Sequence, residues 1–261
     1  MQLFVFSVQP TYVHAVVRAG ATGVVVDWER RGKVVRQRGH DTQINADGPE
    51  DLRRARAATD GRVLCRLNGY GPWTSDEVTT AVAGGADEVL LPMVRRTDEV
   101  ARTLELARGR CAVGILIETQ DAVDRAEALG ELPLSRIYVG LNDLRIDRES
   151  DELFDPLVDG TVARVRSAVR SVPFGVAGLT RPDAGHPVPS RLLAGELAAL
   201  EAQFTFLRRS FLADTVGRDL DVEVQAILAS VAVARMRTAA EVEADHAELV
   251  AAVTARPLLT A

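Results

Sequence analysis

Glu118 closes the apolar run AVGILIE, and Asp143 closes RIYVGLND. Two hard oxygen ligands, with room left for water and for substrate oxygens, are what Mg²⁺ or Mn²⁺ prefers. The plainer reading makes Glu118 a charge at a helix N-terminus and Asp143 the cap of a loop. Arg66 follows VLC in another apolar run, where a lone guanidinium must find an anion or reach solvent. Its fork offers a bidentate grip on a carboxylate. A salt bridge to Asp27 or Glu29, just after GVVV, would satisfy it equally well.

Other polar residues fall at the ends of similar runs: Asn68 after Arg66, Asn142 before Asp143, and the pair Arg208 and Arg209. Of that pair, Arg209 is the candidate to meet an anion at the far end of a substrate. Asn68-Gly69-Tyr70-Gly71 reads as a turn rather than a phosphate loop. Among four histidines, His40 and His186 lie in long loops from which acid-base work is feasible, and His14 and His246 lie in helical segments. Lys33 is the only lysine, placed in a loop, so a Schiff-base mechanism has one candidate amine.

The elements that must position these groups are eight short β-branched runs, each followed by a segment of helical period. They are LFVFSV (3 to 8), GVVVDW (23 to 28), VLCRLN (63 to 68), EVLLPM (88 to 93), AVGILIE (112 to 118), RIYVGLN (136 to 142), PFGVAGL (173 to 179) and FTFLRRSF (204 to 211). Near-continuous apolar runs fit strands covered on both faces. Eight βα units predict a single closed (β/α)₈ barrel over residues 1 to 261, an α/β TIM barrel whose polar strand ends share one rim. An open dinucleotide-binding sheet would need a glycine-rich turn after the first strand, and Gln9-Pro10-Thr11 is not one. Thr74 with Glu77 reads as a capping box, Pro49 behind Asp47 as a first helical turn, and Gly84-Gly85 as a helix end. The loops at 29 to 48 and 180 to 190 are long, as functional loops often are. A helical segment over 214 to 261 includes VEVQAILASVAVARMR, apolar over much of its circumference, which predicts subunit contacts and a homo-oligomer. Thr238 with Glu241 caps a last helix ending before Pro257.

Composition narrows the function classes. The chain has 261 residues, of which 47% are hydrophobic and 26% charged, a balance that suits a soluble globular protein. No apolar run reaches the roughly 18 residues of a membrane span, and the start lacks the features of a signal peptide. We therefore expect a cytoplasmic protein without a membrane partner. A formal net charge of −6 argues against a nucleic-acid partner. Cys65 and Cys111 each lie in strand-like runs and read as buried thiols.

The segments GADEVLLPMVRRTDEV, ILIET and YVGLNDL, with VVVDWE upstream, resemble the HpcH/HpaI aldolase and citrate lyase beta-subunit family of the phosphoenolpyruvate/pyruvate barrel superfamily. The similarity runs from about residue 20 to 212. It implies that Glu118 and Asp143 hold a divalent metal, that Arg66 holds the substrate carboxylate or enolate oxygen, and that Asp27 and Glu29 shape the second loop. In such aldolases pyruvate chelates the metal. This chain departs from the family pattern at Arg30, where a D-x-E-H histidine or a D-x-E-D aspartate would stand. R-L-N at 66 to 68 is similar to the thioester lyases, whereas LPMV at 91 to 94 is similar to the aldolases.

The reading is a metal-dependent carbon-carbon lyase, an aldehyde-lyase of class II type acting on a 2-oxo acid. Arg66, His40 and Glu29 are its catalytic candidates, and Arg66, Asn68, Asn142 and Arg209 its substrate-binding candidates. Glu118 and Asp143 would take Mg²⁺ or Mn²⁺. The alternatives are a malyl- or citramalyl-CoA-type lyase or hydrolase, and an inactive binding homologue.

Overall fold

The computed structural model describes residues 1 to 33 and 46 to 255. Eight parallel strands close into a barrel in sequence order, the last pairing with the first, which is the (β/α)₈ architecture expected. They are β1 Gln2–Phe6, β2 Gly23–Asp27, β3 Arg62–Arg66, β4 Glu88–Leu91, β5 Ala112–Ile117, β6 Arg136–Val139, β7 Phe174–Leu179 and β8 Phe204–Leu207. Numbered among the described residues, the helices between them are α1 Pro10–Arg18, α2 Pro49–Ala57, α3 Thr74–Ala83, α4 Thr97–Ala107, α5 Gln120–Asp124, α6 Ala126–Gly130, α7 Leu141–Asp147, α8 Asp155–Val158, α9 Thr161–Ala168 and α10 Ser190–Ala199. After β8 come α11 Arg209–Asp214, α12 Leu220–Ala234 and α13 Ala239–Thr254.

Alternation along the strands divides the core in two. Phe4, Val25, Leu64, Leu90, Leu116, Tyr138, Phe204 and Phe206 form one buried cluster inside the barrel. The intervening residues, such as Val24, Val26, Val63 and Cys65, belong to a second cluster shared with the helices. This is why the runs look apolar throughout: both faces of each strand are covered. Aromatic rings plug the interior, with Phe4 edge-on to Phe204 at 6.3 Å and Tyr138 4.3 Å from Phe206. Towards the amino ends, Arg136 ion-pairs with Glu88 (2.7 Å) and lies over the rings of Phe4 and Phe204. A barrel filled in this way leaves room for a ligand only at its carboxyl end.

The local expectations fare unevenly. Pro49 opens α2, Gly84-Gly85 ends α3 with Gly85 at φ 88°, and the Thr238–Glu241 box caps α13. The box expected of Thr74 and Glu77 does not form. Trp73 holds the cap position, Thr74 Oγ1 accepts the Gly71 N–H, and Glu77 turns its carboxylate to Asn68. Most strands stop short of the apolar runs, whose buried residues, such as Trp28 and Leu67, continue just past the strand ends. Asp143 consequently lies in the first turn of α7 instead of at a strand end. Both cysteines are free, and Cys111 is only half-buried. No helix among the described residues is long and apolar enough to cross a membrane.

Candidate functional site

A cavity of about 740 Å³ opens at the carboxyl end of the barrel. Strand alternation determines which side chains reach it. Val25 is followed two residues later by Asp27, Leu64 by Arg66, Leu116 by Glu118 and Phe206 by Arg208, so four interior columns end in a charge. All four charged residues line the cavity.

Arg66 is locked in place. Its Nε and Nη2 donate to Asp27 Oδ1 and Oδ2 at 2.9 and 2.8 Å, Nη1 lies 3.5 Å from Glu29 Oε2, and Phe6 packs beneath it with its centroid 4.9 Å away. The salt bridge weighed as an alternative is therefore present, although Arg66 still lines the cavity. Lys33 Nζ completes the cluster at 3.3 Å from both Asp27 Oδ2 and Glu29 Oε2. Burial alone would raise the Asp27 pKa, but Arg66 and then Lys33 outweigh it and hold it at about 2. Burial opposes the charge on Arg66, yet Asp27 and Glu29 raise its pKa well above the ordinary range.

Glu118 has the opposite environment. Burial, then the negative charges of Asp143 and Glu29, push its pKa up to about 8, against the opposing pull of Arg66. Its Oε2 accepts the Met93 N–H at 3.2 Å. Gly140 gives it space, because a Cβ there would stand 2.5 Å from Glu118 Oε1. Asp143 is buried and lines the same cavity. No cluster of three or more His, Cys, Asp and Glu able to hold a metal occurs among the described residues. A cation here would take its protein oxygens from Glu118 and Asp143 and fill its remaining positions with water and substrate, as Mg²⁺ tolerates well.

The other candidates divide. Asn142 lines the cavity half-buried, and Arg209 lines it from an exposed position. Glu29 is fully buried but does not line it; among the described residues it pairs with Lys33 and Arg66. Asn68 does not reach it either. Its Oδ1 accepts the backbone N–H groups of Arg30 and Arg31 (2.8 and 2.7 Å) and its Nδ2 donates to Glu77 (2.6 Å), so its amide organises the second and third loops. His186 is at the cavity, while His14 is exposed on α1 and His246 pairs with Glu196 elsewhere. His40 lies outside the described residues. Two further residues at the cavity were named in the sequence without a binding role. Lys33, expected in a loop rather than on a barrel strand, is buried at the cavity, and nothing in its local pattern signals that. Arg208 lines the cavity as Arg209 does, and counting by twos from Phe204 and Phe206 selects it.

No family model matches the sequence. Solved structures do. Protein CitE from Mycobacterium tuberculosis, in complex with magnesium and acetate, is 18% identical, with a TM-score of 0.62 over 95% of this chain and 96% of that one. RipC from Yersinia pestis is 16% identical, with a TM-score of 0.60 over 93% and 98%. Macrophomate synthase is 13% identical, with a TM-score of 0.58 over 83% and 81%. At these identities the likeness establishes a shared barrel fold.

Proposed function

We propose that the protein is a metal-dependent carbon-carbon lyase, an aldehyde-lyase of class II type acting on a 2-oxo acid through a pyruvate-like enolate. The observation that carries this reading is a charge imbalance. At Glu118, buried in the cavity beside Asp143, burial and the negative charges of Asp143 and Glu29 oppose ionisation, and the pull of Arg66 does not make this good. A divalent cation is the ligand whose charge offsets them. The family resemblance of ILIET and YVGLNDL supports the same assignment, as does a CitE structure of the same fold that holds magnesium and a carboxylate.

Bound between Glu118 and Asp143, Mg²⁺ or Mn²⁺ would supply a Lewis acid for the substrate's oxygens. The remaining tasks belong to the chain. Arg66, immobilised by Asp27 and Phe6, offers a fixed positive charge to a carboxylate or to the developing enolate oxygen, and needs no rearrangement to do so. Asn142 brings an amide to the same cavity. Leu116, Tyr138 and Phe206 form a largely apolar floor, a low-dielectric surface that strengthens these interactions. A base must take the proton from the carbon next to the keto group. His186, at the cavity, and His40 are the candidates, and the one that serves slows the reaction by about 10²- to 10⁴-fold when changed to Ala.

The test needs no knowledge of the aldehyde. With Mg²⁺ or Mn²⁺ in D₂O, the protein exchanges the methyl protons of pyruvate for deuterium, and EDTA abolishes the exchange. Absence of exchange at saturating metal and pyruvate removes the reading.

A further inference from the structure

The backbone ladder between β5 and β6 ends where the Gly140 N–H donates to Ile117 O at 3.0 Å. Glu118 and Asp143 both lie beyond that bond, one just past β5 and the other on α7, so the sheet alone does not set the distance between their carboxylates. A cation held by both needs that distance fixed, because Mg²⁺ demands near-ideal octahedral geometry. On the Glu118 side the loop after β4 supplies part of the hold. The Met93 N–H donates to Glu118 Oε2 at 3.2 Å, and Thr119 Oγ1 donates to Val94 O at 2.6 Å.

Asp147, the last residue of α7, joins the two sides. Its Oδ2 accepts the Gln120 N–H at 2.8 Å, and its Oδ1 accepts from Arg95 Nη2 at 2.5 Å. Gln120 opens α5, two residues after Glu118. Asp143 and Asp147 are one helical turn apart on α7 and share a face of it, about 6 Å apart along the axis. Holding Asp147 against Gln120 therefore turns towards Glu118 the face that carries Asp143. Asp147 itself does not line the cavity.

The contacts of this clasp differ in what they can enforce. Arg148 repeats the link, its Nε donating to Gln120 Oε1 at 2.7 Å, but two long side chains with many rotamers constrain less than a short carboxylate on a main-chain N–H. The Arg95 arm is exposed, where an ion pair contributes little. The bond from the Gln120 N–H to Asp147 is the stiff one.

We infer that Asp147 is a positioning residue for the metal: by gripping the main chain at Gln120 it sets the Glu118 and Asp143 carboxylates at the separation a divalent cation requires. This rests on the proposed metal site. Groups that orient ligands from behind in this way typically change metal affinity by about 10- to 100-fold when removed.

The test is a titration with Mn²⁺, the free ion being counted by its electron paramagnetic resonance signal. Two variants break the same bond from opposite sides. Asp147→Ala removes the acceptor. Gln120→Pro removes the donor at the first position of a helix, behind the extended Thr119, where proline is tolerated. Each should weaken Mn²⁺ binding about tenfold or more, and the double variant should lose little beyond either single one. Asp147→Asn keeps an oxygen for the Gln120 N–H, and Gln120→Ala keeps the N–H while losing the Arg148 link, so both should stay within about threefold of wild type. Val16→Ala, a buried change in α1 on the opposite side of the barrel, should lower the melting temperature and leave Mn²⁺ affinity alone. Affinity within about threefold of wild type in Asp147→Ala or in Gln120→Pro overturns the inference, and so does an equal loss in Val16→Ala. Pyruvate exchange in D₂O is measured on the same samples. Mn²⁺ binding that follows the clasp without any wild-type exchange would leave the inference standing and remove the lyase reading. Exchange with an affinity indifferent to the clasp would do the reverse, and a wild type that binds no Mn²⁺ would remove both.

Discussion

Glu118 stands where a second negative charge is unwelcome, and its titration follows from that. In the native protein it keeps its proton up to about pH 8, whereas in the unfolded chain it loses it near the ordinary value of 4.5. Between those values the native state binds more protons, so the stability of the metal-free protein falls as pH rises from about 4.5 to about 8. Glu118→Gln removes the repulsion and keeps an acceptor for the Met93 N–H. It should therefore melt higher than wild type in EDTA at pH 8, show no such gain near pH 4.5, and have lost both metal stabilisation and pyruvate exchange. Asp143→Asn should likewise lose exchange while remaining folded. Near wild-type exchange in either variant would refute the metal assignment. Lys33 supports a second expectation. Its amine is engaged by both Asp27 and Glu29, whereas Schiff-base formation needs an amine free to approach a carbonyl. Borohydride with pyruvate should leave the enzyme active, and a reduced pyruvyl adduct on Lys33 in the mass spectrum would replace the metal mechanism with a Schiff base.

The barrel elements were legible because parallel strands covered on both faces leave an unmistakable apolar signature, and β5, with Glu118 just past its end, is the clearest instance. What happens just past the strand ends was harder to read. Asp143 belongs to α7, and Asn68 and Glu77 pair with each other across a turn, because hydrogen bonding between loops decided both outcomes and no local periodicity encodes it. That Arg208 reaches the cavity was legible, since period two carries β8 from Phe204 through Phe206 to Arg208. Gly140 is another position where the element, rather than the residue, does the positioning. Its φ of −88° suits any residue, so the demand is for space alone. In Gly140→Ala the new Cβ would stand 2.5 Å from both Cγ and Oε1 of Glu118 and must displace that side chain. The cost in stability should be modest, about 1–3 kcal/mol. Mg²⁺ affinity should fall about tenfold or more in a direct titration, and an unchanged affinity would show that Glu118 does not need its present position to bind.

At the scale of the whole molecule, the C-terminal helices are where the barrel alone does not account for the sequence. α12 packs on α1 and α10 through Val224, Ile227 and Val231, which covers one stripe of a helix apolar on more than one side. On its outer side Val222 and Val233 are 62% and 56% exposed, and Met236, just beyond its end, is 76% exposed. With the exposed Ala229, these residues repeat at spacings of seven, four and three, so they form a single seam along the helix rather than scattered surface residues. A continuous apolar seam on one helix is self-complementary across a two-fold axis, and a second copy of this chain can cover it with its own. We therefore expect a homo-oligomer in sedimentation at micromolar concentration. Val222→Glu with Val233→Glu places charges in the seam without touching the buried stripe, so the double variant should sediment as a folded monomer that still exchanges pyruvate protons. A wild-type monomer would remove the interface, and a double variant that stays assembled would move it to another face of the barrel.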